Sequence, residues 1–77
     1  MKTALITGAA RGIGLATTDI FCAQGWHVVM VDRDAEELMA QASERYAVTA
    51  AVHDISDPDQ VDKMIAVTLA ARGQIDA

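Results

Sequence analysis

The stretch from Thr3 to Gly14, TALITGAARGIG, constrains this chain more than any other. Leu5, Ile6 and Thr7 read as the end of a short buried strand, and Gly8, Gly12 and Gly14 punctuate a turn. From Ile13 onward the apolar period becomes helical. A helix N-terminus carries backbone N–H groups without intrahelical partners and a partial positive charge. A diphosphate can sit there when no side chain blocks its approach. Glycine lacks Cβ and permits positive φ, so the backbone can come close. Gly8 is expected to make the sharp exit from the strand, Gly12 to open the turn to phosphate, and Gly14 to let helix and sheet pack closely.

The rest of the chain repeats this alternation. Thr3 to Thr7 is the first strand, and the first helix runs from about Gly12 to Gln24, with Gly25 suited to its C′ position. Ile13, Ala16, Thr17, Ile20 and Phe21 are expected to form its buried stripe. His27 to Asp32 is a second strand whose apolar run, Val28 to Val31, implies cover on both faces. Asp34 and Glu37 have capping-box spacing for a second helix, with Ala35, Leu38, Met39, Ala42 and Tyr46 facing inward. Val48 to Val52 is a third strand. Asp57, Pro58 and Gln60 then start a third helix, whose stripe is Val61, Met64, Ile65, Thr68 and Leu69 and whose stop is Gly73. Gln74 to Ala77 reads as the approach to a fourth strand.

Strands and helices alternating at this spacing define an α/β chain with a parallel sheet and right-handed crossovers. The expected fold is the first half of a doubly wound Rossmann-like sheet, β-α-β-α-β-α, in strand order 3-2-1. The first two helices should lie on one face and the third on the other. Residues 1–77 then make one partial dinucleotide-binding domain that stops before strand four. Strand one would be an apolar edge, a template for pairing. Its expected cover is the remainder of its own domain or a second copy of the chain.

Composition excludes several classes of function. Net charge is −5 and the basic residues are scattered, so neither nucleic acid nor an anionic membrane is an expected partner. The apolar runs are too short for a membrane span. Met1-Lys2-Thr3 leads straight into a strand, so no signal peptide is expected. Cys22 is the single cysteine, so no internal disulfide can form, and a reducing, cytoplasmic setting is expected. No Cys, His or carboxylate cluster has metal-ligand spacing. Cys22 and Trp26 are read as packing residues, and His27 and His53 as strand-end residues.

The glycine spacing, T-G-x-x-x-G-x-G from Thr7 to Gly14, resembles the cofactor motif of the short-chain dehydrogenase/reductase family in full. The resemblance covers the chain from Lys2 to Ala77. The sugar-nucleotide epimerases are a poorer match, because Arg11 stands where their T-G-x-x-G-x-x-G has its middle glycine. By this resemblance Gly8, Arg11, Gly12, Ile13 and Gly14 form the diphosphate turn. Asp32, eighteen residues after Gly14, is an acceptor for both hydroxyls of the adenosine ribose and repels a 2′-phosphate. That implies NAD in preference to NADP. Arg11 and Arg33 complicate the choice, since a basic residue at either place can meet a 2′-phosphate in this family. Asp54 resembles the residue that accepts from the adenine amino group, and Ile55 the one beside the ring; Asp54 can equally begin a turn before Pro58.

The resemblance also implies an oxidoreductase that passes hydride between NAD(H) and an alcohol or ketone. The family's Ser and Tyr-x-x-x-Lys do not occur in this sequence. Tyr46, the one tyrosine, is followed four residues on by Ala50. These 77 residues alone are therefore expected to be inactive, as the cofactor-binding half of a larger enzyme. The rival reading is a stand-alone nucleotide-binding or self-assembling half-Rossmann module without catalysis.

Overall fold

A computed structural model describes residues 1–77. The elements are β1 (Thr3–Thr7), α1 (Gly12–Ala23), β2 (His27–Asp32), α2 (Ala35–Ser43), β3 (Val48–Val52) and α3 (Pro58–Arg72). All three strands are parallel. Thr3 lies opposite His27 and Thr7 opposite Val31, while Val28 lies opposite Val48 and Asp32 opposite Val52. The sheet runs β1-β2-β3. Read from its other edge, that is the adjacency 3-2-1. The central place of β2 follows from its sequence, because only a strand flanked on both edges and covered on both faces can bury four apolar residues in succession.

Alternate side chains of β2 supply two cores. Val28 and Met30 pack with Ala4, Ala9, Ala10 and Leu38, and Leu15, Phe21, Cys22 and Ala42 close around them. Val29 and Val31 face the other way, onto Met64, Val61, Leu5 and Ala51. So α1 and α2 cover one face and α3 the other. Leu38 is fully buried and ties α2 to the sheet; truncating such a side chain to alanine typically costs about 2–5 kcal/mol. Trp26 packs as a plug against the first core, edge-on to Phe21 at 4.8 Å.

The phase of α1 differs from the expected stripe. Ile13 and Ile20 are 88% and 63% exposed, and Ala16 is exposed too. The side facing the sheet carries Gly14, Leu15, Thr18, Phe21 and Cys22 instead. Contact between Gly14 and the turn sets this phase. A Cβ on Gly14 would overlap the Gly8 carbonyl oxygen and come within 2.7 Å of its carbon. Once Gly14 faces inward, residues one, four, seven and eight places later follow it. Thr18 is fully buried without cost because its hydroxyl donates to the Gly14 carbonyl at 2.9 Å.

In α2, Leu38 and Ala42 face inward as expected, but Met39 is exposed and Tyr46 lies beyond the helix end, fully exposed. Between them Arg45 grips α1, with both oxygens of Asp19 taking its guanidinium at 2.7 and 3.0 Å. In α3, Met64 and Thr68 are buried and Val61 half-buried, whereas Ile65 and Leu69 are exposed. Gly73 closes α3 with φ of 79°, the left-handed conformation that suits glycine. The chain then turns onto the β1 edge. Ala77 donates to the Thr3 carbonyl at 3.3 Å and accepts from the Leu5 N–H at 2.8 Å, the bonding pattern of one parallel bridge. Asp76 and Ala77 thus lie against the outer edge of β1. Beyond Leu5 the edge of β1 faces a cavity of about 680 Å³ bordered by Ile6, Thr7, Ile13, Thr17 and Phe21.

Candidate functional site

The site gathers at the C-terminal ends of the strands. Gly8 and Gly12 adopt φ of 62° and 61°. Side chains other than glycine rarely hold that conformation, and it carries the chain sharply off β1 and into α1. No protein atom lies within 4 Å of where a Cβ on either would stand, so both face open space. The glycines therefore divide the expected tasks: Gly8 and Gly12 by backbone angle, Gly14 by close packing.

Arg11 is the N-cap residue of α1, and its side chain makes no capping bond. The N–H groups of Gly12, Ile13 and Gly14 have no protein acceptor. No acidic side chain stands in the first turn. Three free donors and the positive end of the helix dipole thus point at one spot, the arrangement that suits a diphosphate. Ile13 contributes backbone only, since its side chain points outward.

Asp32 ends β2. One carboxylate oxygen accepts from the Ala10 N–H at 3.1 Å and the other from the Asp34 N–H at 3.1 Å. The Asp34 N–H, then the Ala10 N–H, hold its pKa below the ordinary 3.8, against the opposing effect of burial. Asp32 is therefore a charged latch between the glycine turn and α2. This bond to Asp34 was not foreseen in the sequence, although Asp followed two residues later by a free N–H is the local signal for it. It also corrects the expected capping box. Asp34 does cap α2, accepting from the Glu37 N–H at 3.2 Å. The reciprocal bond from Glu37 does not form, because Asp32 already takes the Asp34 N–H and Glu37 accepts from Gln41 instead.

Arg11 reaches across the turn to Asp34, with 2.6 Å between guanidinium and carboxylate. Arg33 is exposed and makes no ion pair, but its charge helps keep Asp54 ionised. Asp54 has its pKa lowered, chiefly by the Ser56 hydroxyl and then by the Ser56 N–H, at 2.7 and 2.9 Å. So Asp54 does begin a turn, and one oxygen does that work. Its second oxygen carries no protein bond. Gln60 braces the loop by accepting from the Asp54 N–H at 2.7 Å.

A groove of about 260 Å³ lies beside the ends of β2 and β3, bordered by Gly8, Asp32, Arg33, His53, Asp54 and Ile55. Ile55 is half exposed beside it. The structure thus brings all nine expected residues to one end of the sheet. The groove reaches the glycine turn at Gly8, and it carries acceptors from Asp32 and Asp54 and an apolar flank from Ile55. His27 lies at the opposite end of β2, with Nε2 2.8 Å from the Thr49 hydroxyl. Cys22 is half-buried against the core, and burial raises its pKa. No metal-ligating cluster of His, Cys, Asp or Glu is present, and no helix is long and apolar enough to cross a membrane.

A parallel βαβ sheet with a three-glycine turn at the N-terminus of its first helix defines a Rossmann-like chain. The sequence matches the family model for short chain dehydrogenases over residues 2–77, and the chain belongs to that family. It is 39% identical to a 1-deoxy-11-beta-hydroxypentalenate dehydrogenase of Streptomyces exfoliatus, over 97% of this chain and 29% of that one. It is 38% identical to a sorbitol dehydrogenase of Cereibacter sphaeroides, over 97% of this chain and 30% of that one. Among solved structures, the 3-ketoacyl-(acyl-carrier-protein) reductase of Brucella melitensis, complexed with NADH, superposes with a TM-score of 0.91 at 38% identity. That match covers 97% of this chain and 31% of the reductase. The chain thus spans about a third or less of the length of these relatives.

Proposed function

We propose that this chain is the adenosine- and diphosphate-binding part of an NAD-dependent oxidoreductase that acts on an alcohol or ketone. The observation that carries this reading is the ionised Asp32 at the end of β2, set beside a glycine turn whose three N–H groups are free. The NADH bound by the Brucella melitensis reductase supports it.

The residues fit such a ligand. The N–H groups of Gly12, Ile13 and Gly14 hold the diphosphate, and the Gly8 and Gly12 backbone leaves room for it. Asp32 accepts from the ribose hydroxyls with the lone pairs that Ala10 and Asp34 leave free. The unbonded oxygen of Asp54 takes the adenine amino group, and Ile55 packs on the ring. Bound NAD supplies the hydride chemistry. The groups that hold and move the substrate proton lie outside these 77 residues, because no Tyr-x-x-x-Lys pair occurs in them. The β1 edge and the apolar side chains beside it are then covered by further polypeptide, from the same domain or a second copy.

The test is a calorimetric titration of the 77-residue chain with NADH and with NADPH. Binding of NADH in preference supports the reading. Tighter binding of NADPH overturns the choice of NAD, and binding of neither overturns the assignment of the groove.

A further inference from the structure

Arg11 stands between two carboxylates with different tasks. Asp32 faces the groove, while Asp34 caps α2 with one oxygen and grips the Arg11 guanidinium with the other. We infer that Asp34 is a positioning residue for cofactor choice, holding and neutralising Arg11 so that this arginine is not available to a phosphate on the adenosine ribose. This rests on the dinucleotide reading above.

The argument is one of charge and reach. A phosphate on the ribose 2′ position would lie next to Asp32 and close to the Asp32-Arg33-Asp34 corner. There it meets two carboxylates and two guanidiniums. Arg33 borders the groove and makes no ion pair, whereas Arg11 is the cation that Asp34 holds, and guanidinium has the fork of donors that phosphate requires. In this chain Asp34 already holds one nitrogen of that fork. To turn the whole fork to a phosphate, Arg11 must leave Asp34, and Asp34 then stands beside the dianion as a second like charge. Removing only the charge of Asp34 frees the arginine and deletes the repulsion. Asparagine does this with little harm to the helix, because it caps as well as aspartate does.

The experiment compares the chain with its Asp34→Asn variant, each titrated with NADH and NADPH at low and high salt. The expected result is a shift of about fivefold in the affinity ratio toward NADPH, the scale set by an exposed ion pair. That shift should shrink at high salt, because exposed charges are screened. Adding Arg11→Ala to Asp34→Asn should abolish it. A purely structural role for Asp34 would weaken both dinucleotides together and leave the ratio unmoved, which overturns the inference while the dinucleotide reading stands. A ratio shift that survives Arg11→Ala also overturns it. If the unmutated chain binds neither dinucleotide, the underlying reading fails and this inference with it.

Discussion

The carboxylate of Asp32 accepts the Ala10 N–H at 3.1 Å, joining the end of β2 to the glycine turn across 22 positions of sequence. The same carboxylate takes the Asp34 N–H, so one side chain sets both the turn and the start of α2. A residue read from sequence as a ligand contact is thus also a structural tie, and its substitution tests both.

Asp32→Ala should weaken NADH binding by about tenfold or more, as loss of a charged acceptor does. NADPH binding should also fall, though less, because the turn loosens for either ligand while a repulsion disappears. Calorimetry checks the ratio. An unchanged NADPH affinity would mean that the turn holds without its latch.

His27 and a set of carboxylates that includes Asp32 give the chain a predictable acid response. The native pKa of Asp32 is depressed, so its stabilising contribution is complete above the ordinary value of 3.8 and is lost as pH falls through the lower native value. His27 is depressed by burial and by the charge of Arg72, so the unfolded chain takes up its proton first. Stability should therefore begin to fall as pH drops below 6.5, the ordinary value for histidine, and fall again below 3.8. Urea melts across pH should lose the first step in His27→Gln, whereas Asp32→Asn should only shrink the second, which Asp19, Asp54 and Asp76 share.

The glycines should separate by mechanism. Gly14→Ala drives a methyl into the Gly8 carbonyl and should cost about 1–3 kcal/mol in chemical denaturation, as overpacking does. Gly12→Ala meets open space and should cost about 1–2 kcal/mol for its left-handed φ alone. Gly12→Val should in addition abolish dinucleotide binding by filling the approach to the N–H groups. Unchanged NADH affinity in a folded Gly12→Val chain would refute the phosphate-turn assignment.

Arg45 holds α1 to the end of α2 through Asp19 and also donates to the Gln41 carbonyl at 2.7 Å. Lysine cannot reproduce that fork. Arg45→Lys should cost about 1 kcal/mol in a urea melt. NADH affinity should not change, because the pair stands away from the groove.

The open part of β1 should make the isolated chain self-associate at high concentration, since unpaired strand edges do so when apolar residues flank them. Sedimentation velocity should show a concentration-dependent shift that Ile20→Lys reduces. A clean monomer throughout would count against pairing through this edge.

Local rules were sufficient for much of this chain. The turn from Thr7 to Gly14, the central place of β2, the caps at Asp34 and Asp57 and the stop at Gly73 depend on neighbours within a few positions, so the sequence by itself determined them. The same holds for gathering Gly12, Asp32 and Asp54, because a parallel sheet puts every strand's C-terminal end on one side. Only the tertiary structure decided the phase of α1, since hydropathy favours Ile13 and Ile20 whereas the Gly14 contact with Gly8 is one that no periodicity records. It also decided that Asp32 meets Ala10, Arg11 meets Asp34 and Arg45 meets Asp19. Those bonds join residues more than twenty positions apart, and a charged side chain announces its need for a partner without saying which one folding will bring to it.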